Sequence, residues 1–423
     1  MIYAIILFAA TYILMLALPK WRPAVAIGSA VIFVVSGMLP VSKVLPAIDF
    51  NVLLMIAGTM GTVALLIESK MPQLLADLLL EKVPNVKWAV IMLSLFAGIV
   101  SAFIDNVATV LMIAPIALAI AKKQKINPVG MIIAIAVSSN LQGAATLVGD
   151  TTSILLGGYA GMDFLDFFAF HGRPGIFWAV ELGAICSASL LLILFRNERG
   201  KVTAEERTKV RDWVPTWLMG GTVLVLILAS FIPGRPALTN GLICVVFMLA
   251  GMLHKILREK KLSAALDVLK EIDYATLGLL AGLFVVVGGI TEMGVVDAIA
   301  GLFTRLGGGS LFAIYTLIVW ASVLFSAFID NIPYVATMLP VTQGIAAAMG
   351  VDPTILYYGL LSGATLGGNL TPVGASANIT GIGILRKEGY EVKNSDFLRI
   401  GVPFTLAAVI PAYLYFWLFY AVL

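Results

Sequence analysis

Six residues, Ser101-Ala-Phe-Ile-Asp-Asn106, recur letter for letter as Ser326-Ala-Phe-Ile-Asp-Asn331, 225 positions later. The same spacing aligns Pro115 with Pro340, Pro128 with Pro353, Thr146 with Thr371 and Gly149 with Gly374. At a spacing of 224, Asp49 meets Asp273, Gly58 meets Gly282 and Glu68 meets Glu292. At 213, Arg22-Pro23-Ala24 meets Arg235-Pro236-Ala237, and Gly28 meets Gly241. The matches keep their order with a few small gaps, so the chain reads as two copies of one unit, residues 1–212 and 213–423.

The medium in which these copies fold follows from composition. Hydrophobic residues make up 60% of the chain and charged residues only 12%, where soluble domains carry about 25% charged residues. Apolar runs of about 20 residues recur along the whole length, as spanning helices require. Ten crossings are expected, at about 2–18, 24–40, 50–68, 127–161, 174–195, 213–232, 238–254, 273–291, 353–385 and 397–420. Two of them, 127–161 and 353–385, are too long and too rich in Gly, Asn and Thr for continuous helices. Two further stretches, 88–122 and 310–348, hold a polar centre and read as re-entrant hairpins.

Charge orients this scheme. The N-terminus is apolar at once, and its first positive charges, Lys20 and Arg22, follow the first span. That pattern is expected of an uncleaved first helix with its N-terminus outside rather than a signal peptide. Only Lys43, Arg173, Arg235 and Arg305 then fall outside, and the other 23 of the 27 Lys and Arg fall inside. Five crossings separate the copies, so the second runs through the bilayer in the opposite sense. The expected fold class is therefore an all-α polytopic membrane protein. It has two inverted repeats of five spans, each with one hairpin and one broken helix, an architecture typical of secondary transporters. Both termini are expected outside. The loops at 196–212 and 255–272 read as solvated charge runs, the second amphipathic and suited to a membrane surface.

Non-helical backbone at membrane depth survives only within protein or around a watery cavity. Four segments need that shelter: the tips 104–107 and 329–333, and the breaks 138–153 and 363–378. Gly, Asn, Ser and Thr in them allow left-handed backbone and cap helix ends. Gly149 and Gly374 are placed for close backbone approach, and Pro333 fixes the chain leaving the second tip. Asp105, Asp150 and Asp330 are the deepest ionisable residues, and such residues inside a membrane are functional by default. Each Asp can also simply cap its half-helix, and the two roles coexist. Na⁺ or a proton suits these carboxylates and the freed carbonyls. Glu68 and Glu292 read as interfacial, and Asp49 and Asp273 as helix caps. No Lys or Arg falls in the four segments. A bare anion is therefore expected to lack a basic counter-ion there. The substrate is expected to be a cation, a neutral hydroxy species, or an anion brought in with cations.

Other functions find little footing. No basic block suits nucleic acid. Cys186 and Cys244 match no disulfide framework or zinc spacing, and His171 and His254, at span ends, match no metal motif. No catalytic signature and no P-loop is present, so no enzyme activity and no cofactor is expected, and any ATP drive would need a separate ATPase subunit.

The residues Ser101 to Asn106, Asn140 to Asp150, Ser326 to Pro333 and Gly367 to Asn378 resemble the ion transporter superfamily. Within it they are most similar to the arsenite permease, NhaD-type sodium/proton antiporter and melanosomal P-protein branch, above all the P-protein type. Where dicarboxylate members carry Ser-Asn-Thr at the tips, this chain has Ile-Asp-Asn, which argues against a di- or tricarboxylate. After Gly149-Asp150 it has Thr151-Thr152-Ser153 in place of a Pro-containing run. Without the long soluble N-terminal region of the animal P-proteins, it reads as a prokaryotic plasma-membrane member.

The resemblance implies a homodimer in which a region holding the hairpins and broken helices moves like an elevator against a fixed scaffold. It implies a site made of Asp105, Asn106, Asn140, Asp150, Asp330, Asn331, Asn369, Thr371, Ser376 and Asn378, to which the breaks add Gly149, Thr151 and Gly374. The expected function is proton- or sodium-coupled exchange of a small inorganic ion or neutral hydroxide, with arsenite export and Na⁺/H⁺ exchange both open. Na⁺-driven uptake of a carboxylate or oxyanion is the alternative, and a channel a remote one.

Overall fold

Among the described residues, four helices begin on an N-cap aspartate whose side chain accepts a first-turn amide. Asp49 Oδ1 accepts from the Val52 amide at 3.0 Å, Asp105 Oδ1 from Val107 at 3.0 Å and Ala108 at 3.2 Å, Asp273 Oδ1 from Thr276 at 3.0 Å, and Asp330 Oδ1 from Ile332 at 3.1 Å. Each occupies N–H groups that a first helical turn leaves free. The structure is a computed structural model that describes residues 1–198, 200 and 207–422.

In the first half run α1 (Ile2–Ala17), α2 (Arg22–Val35), α3 (Val44–Ala47), α4 (Phe50–Ser69), α5 (Met71–Leu80), α6 (Val86–Ser101), α7 (Asn106–Gln124), α8 (Val129–Gly143), α9 (Thr151–Ala160) and α10 (Ile176–Leu194). In the second run α11 (Val214–Ala229), α12 (Thr239–Glu259), α13 (Ser263–Lys270), α14 (Tyr274–Glu292), α15 (Val295–Leu306), α16 (Leu311–Ser326), α17 (Asn331–Met349), α18 (Thr354–Leu361), α19 (Ser376–Lys387) and α20 (Asn394–Trp417). Gly161 and Gly350 end α9 and α17 in left-handed backbone, at φ 65° and 66°.

Seven of the described helices are long and apolar enough to cross a membrane, or up to nine if each bent pair counts as one span. The chain is thus an integral membrane protein. The seven are not a subset of the ten expected crossings, since α7 and α17 are the second arms of the expected hairpins. Conversely, α1 and α2 form one bent pair, and α11 has only 16 residues. Each broken helix offers no single long segment, α8 and α9 being separated by residues 144–150. The α1 and α2 segments meet at 118°, which turns the chain back at Leu18.

The all-α expectation needs one correction. Ala169–Phe170 (β1) pairs antiparallel with Arg173–Pro174 (β2). The turn between them uses His171 and Gly172, at φ 50° and 76°. α5 and α15, absent from the expected spans, are short helices joining a span to a hairpin. The expected amphipathic loop holds α13, with Ala264 and Val268 buried and Asp267 exposed. Part of the basic loop 196–212 lies outside the described residues.

Packing sorts the helices into two groups. α4 lies along α12 and α14 along α2, so helices from the two halves interlock. Glycines permit the contact: a Cβ on Gly58 would come within 2.4 Å of the Cys244 carbonyl carbon, and one on Gly282 within 2.7 Å of that of Ala26. In the second group α6 packs on α8, α10 on α20, and α20 also on α8. The hairpins α6–α7 and α16–α17 and both helix breaks belong to this group.

Candidate functional site

Where α6 gives way to α7, and α16 to α17, the tips are held by a neighbouring break. Thr146 Oγ1 donates to the Ala102 carbonyl, and Thr371 Oγ1 to the Ala327 carbonyl. Gly149 and Gly374 sit where a Cβ would meet backbone oxygens: Gly143, Ala102 and Ser101 for the first, Gly368, Ser326 and Ala327 for the second. Both sets of contacts repeat at the 225-residue spacing seen in the sequence.

Near its C-terminal end α8 meets the second break. Asn106 Nδ2 donates to Asn140 Oδ1 at 3.0 Å, and Asn140 Nδ2 donates to the Thr365 carbonyl at 2.7 Å and to Asn369 Oδ1 at 3.1 Å. Asn369 Nδ2 donates in turn to the Val137 carbonyl at 2.9 Å. Ser139 Oγ reaches the Asn106 carbonyl at 3.0 Å, and the Thr152 and Thr365 hydroxyls lie 2.9 Å apart. In the second break a π turn, Ser362–Leu366, and a 3-10 turn, Gly368–Leu370, replace α-helix. Asn378 Nδ2 satisfies the freed Gly368 and Thr371 carbonyls, each at 3.1 Å. The Asn140, Asn369 and Asn378 amide groups thus satisfy carbonyls and each other where lipid could offer no partner, although Asn378 Oδ1 itself has none among the described residues.

The expected residues separate into two layers. Asp105, Asn106, Asp150, Thr151, Asn331 and Ser376 line one cavity of about 210 Å³. Gly149 lies with Asp105, Asp150 and Thr151 on a small recess beside it. Asn140, Asn369, Thr371 and Asn378 form the buried network behind, and Gly374 braces the second tip. Asp330 stands at that tip, its Oδ2 accepting from Ser376 Oγ at 3.3 Å. A larger cleft of about 1080 Å³, beside Lys43 and Glu292, contains none of these residues. Among the described residues no three acidic, His or Cys side chains converge on one metal position. A bound Na⁺ would therefore need carbonyl, hydroxyl or water oxygens alongside a carboxylate.

Three features escaped sequence reasoning. The far wall of the cavity is Met60, Val63, Ala64 and Ile67 of α4, with Glu271, Asp273 and Thr276 at the start of α14. Asp273 caps α14 as expected and also faces the cavity. The Asn331 amide nitrogen, buried at the second tip, has no protein hydrogen-bond partner among the described residues.

The third corrects the expectation that no basic side chain attends the tips. Arg22 Nη1, from the start of α2, lies 3.2 Å from Asp330 Oδ2. The repeated Arg-Pro-Ala was the available signal. The other span-end acids are exposed and ion-paired, Glu68 with Lys255 and Glu292 with Lys43, both at 2.6 Å.

Comparison with known proteins places the chain among membrane transporters. The family model described as CitMHS, citrate transporter, matches residues 12–363. A Mycobacterium tuberculosis protein named as an uncharacterized transporter is 33% identical over 440 residues, covering 100% of this chain and 99% of its own. The mouse P protein is 27% identical over 469 residues, covering 89% of this chain and 54% of its own. The crystal structure of the Alcanivorax borkumensis YdaH transporter superposes with a TM-score of 0.61 at 14% identity, over 89% of this chain and 87% of that one. That likeness concerns the fold alone.

Proposed function

The chain belongs to the CitMHS citrate transporter family, and we propose that this membrane transporter works by ion-coupled secondary exchange. The exchanged species is a small inorganic ion or neutral hydroxide, moved against protons or Na⁺. The observation that carries the reading is the cavity at the hairpin tips. Four carboxylates, Asp105, Asp150, Glu271 and Asp273, line it, and among the described residues no Lys or Arg does. Its volume, about 210 Å³, leaves room for a small ion with part of its hydration. A carboxylate in such a place can hold a proton or a cation, and the unpartnered Asn331 amide offers a donor to a hydroxyl oxygen.

The transport cycle we infer is an elevator built on two inverted repeats, 1–212 and 213–423. Support comes from the paired tip-to-break contacts at one fixed spacing and from the lopsided charge of the loops. The group holding α6–α10 and α16–α20 moves, α1–α4 and α11–α14 stay, and two copies assemble through the fixed part. The termini face outward in this scheme.

A second reading is cation-driven uptake of an anion. Arg22 at Asp330, the Asn331 donor and the family's description as a citrate transporter favour it.

The test uses protein reconstituted into liposomes with an internal pH dye under an imposed proton gradient. Na⁺, Li⁺, arsenite and citrate are added in turn. One addition should collapse the gradient, and Asp105→Asn and Asp330→Asn should each abolish the response. If both variants exchange like the parent, the proposal fails. Inward movement of labelled citrate on a Na⁺ gradient, with no proton flux, would put the second reading in its place.

A further inference from the structure

Arg22 and Arg235 hold the same place in the two halves, yet their partners differ. Each opens an Arg-Pro-Ala run at the turn between the first two helices of its half. Each folds its guanidinium back onto a carbonyl near the end of the preceding helix. Arg22 Nε donates to Met15 at 3.2 Å, and Arg235 Nη1 to Ala229 at 2.7 Å. Arg22 then pairs with Asp330 at the second hairpin tip. Arg235 pairs instead with Asp163, just beyond the end of α9. Asp105, the repeat counterpart of Asp330, accepts two backbone amides and has no Lys or Arg partner among the described residues.

We propose that Arg22 and Arg235 are alternating latches: in the opposite-facing state Arg235 leaves Asp163 for Asp105, and Arg22 releases Asp330. The inference rests on the inverted-repeat elevator of the preceding subsection. In such a machine the two states differ by an exchange of conformations between the halves. A contact made by one half in this state is then made by the other half in the next.

The burial of both arginines gives the exchange its force. Their side chains are only 21% and 15% exposed, and a guanidinium stripped of its partner in such a place is costly. Each must trade one carboxylate for another rather than go without. The turn after α19 carries Glu388, which here pairs with Lys122, and Glu391 where the turn after α9 carries Asp163. Arg22 thus has acids to move to, in Glu391 or in Glu388 once Lys122 yields it. A cation arriving at Asp330 competes with Arg22 for the same carboxylate. Loading therefore weakens the latch of the present state, and loading at Asp105 weakens that of the other. The arginines act as positioning residues that tie movement to occupancy.

The test measures distances between spin labels at Lys123→Cys, beside the first hairpin, and Lys261→Cys, on the fixed group, in a Cys186→Ser background. Two distance populations are expected in liposomes. Arg22→Gln should deplete the population matching the present structure about fivefold. Asp163→Asn should also shift the balance away from it. Adding Arg235→Gln to Asp163→Asn should then move the balance back, because the Asp105 latch is lost. Arg235→Lys in the same background should leave the balance where Asp163→Asn put it. If Arg235→Gln leaves that balance unmoved, or Lys behaves as Gln does, the latch is overturned while two populations still support the elevator. A single population in every variant overturns both.

Discussion

Asn140 Nδ2 donates to Asn369 Oδ1 at 3.1 Å, so one amide–amide hydrogen bond joins the end of α8 to the second helix break. Both side chains are fully buried, and each has its other group committed, Asn140 Oδ1 to Asn106 and Asn369 Nδ2 to Val137. Neither amide can turn over without stranding a donor against a donor.

Asn140→Ala therefore orphans the Asn106 amide, the Thr365 carbonyl and the Asn369 carbonyl oxygen. Each buried orphan costs about 1–3 kcal/mol, so the variant should melt well below the parent in detergent and lose transport. Asn140→Asp should behave similarly, since a carboxylate cannot donate to two acceptors at once. A parent-like melting temperature in both variants would refute the bridging role.

Asp105 caps α7, and in the proposed cycle its charge also carries the coupling; substitution can separate the two. Asn caps a helix about as well as Asp, whereas Ala loses about 1 kcal/mol at a cap. Asp105→Asn should keep the thermal stability of the parent and lose ion-coupled transport, and Asp105→Ala should lose both. Undiminished transport by the Asn variant would mean that its charge is not needed.

At Gly149 and Gly374 an added methyl has nowhere to go. Its carbon would stand 2.6 Å from the Gly143 carbonyl oxygen in the first case, and 2.6 Å from those of Gly368 and Ser326 in the second. Gly149→Ala and Gly374→Ala should each destabilise by about 1–3 kcal/mol. Gly301→Ala in α15, with nothing within 4 Å of the new carbon, serves as the control and should be neutral or slightly stabilising. Equal melting temperatures across the three would contradict the tight tip-to-break packing.

Away from the spans, Asp212 sets an acid limit. Burial pushes its pKa up, but the Val214 amide at 3.0 Å, His254 Nε2 at 2.7 Å and Arg258 Nη1 at 2.8 Å outweigh that, and the net shift is downward. A carboxylate with a lowered folded-state pKa stabilises fully above its unfolded value of about 3.9. That contribution is lost as pH falls through the folded value. The melting temperature of Asp212→Asn should trail the parent at pH 7, and the gap should close on acidification below pH about 4. A gap that stays constant down to the acid limit would remove Asp212 from this role.

What could be read from the sequence was what local chemistry dictates. Asp105 and Asp330 stop one helix and start the next within a few residues, Gly and Thr mark the breaks, and apolar runs about as long as a bilayer is thick mark the spans. The glycine pair Gly149 and Gly374 was readable too, because the repeat put them in corresponding positions. α5, α15 and the β1–β2 turn were not readable, being short pieces whose weak local preferences are decided by what they pack against.

The partners were decided by tertiary structure alone. Arg22 stands 308 residues from Asp330, and nothing within either segment carries information about the other. Asp273 looked like a helix cap and is one. Only the packing of α14 beside the tips turns it to the cavity as well. Order and breaks follow from forces acting over a turn or two of helix. The charges facing a buried cavity follow from which surfaces meet when the helices pack, and burial then decides which of those charges must be paired.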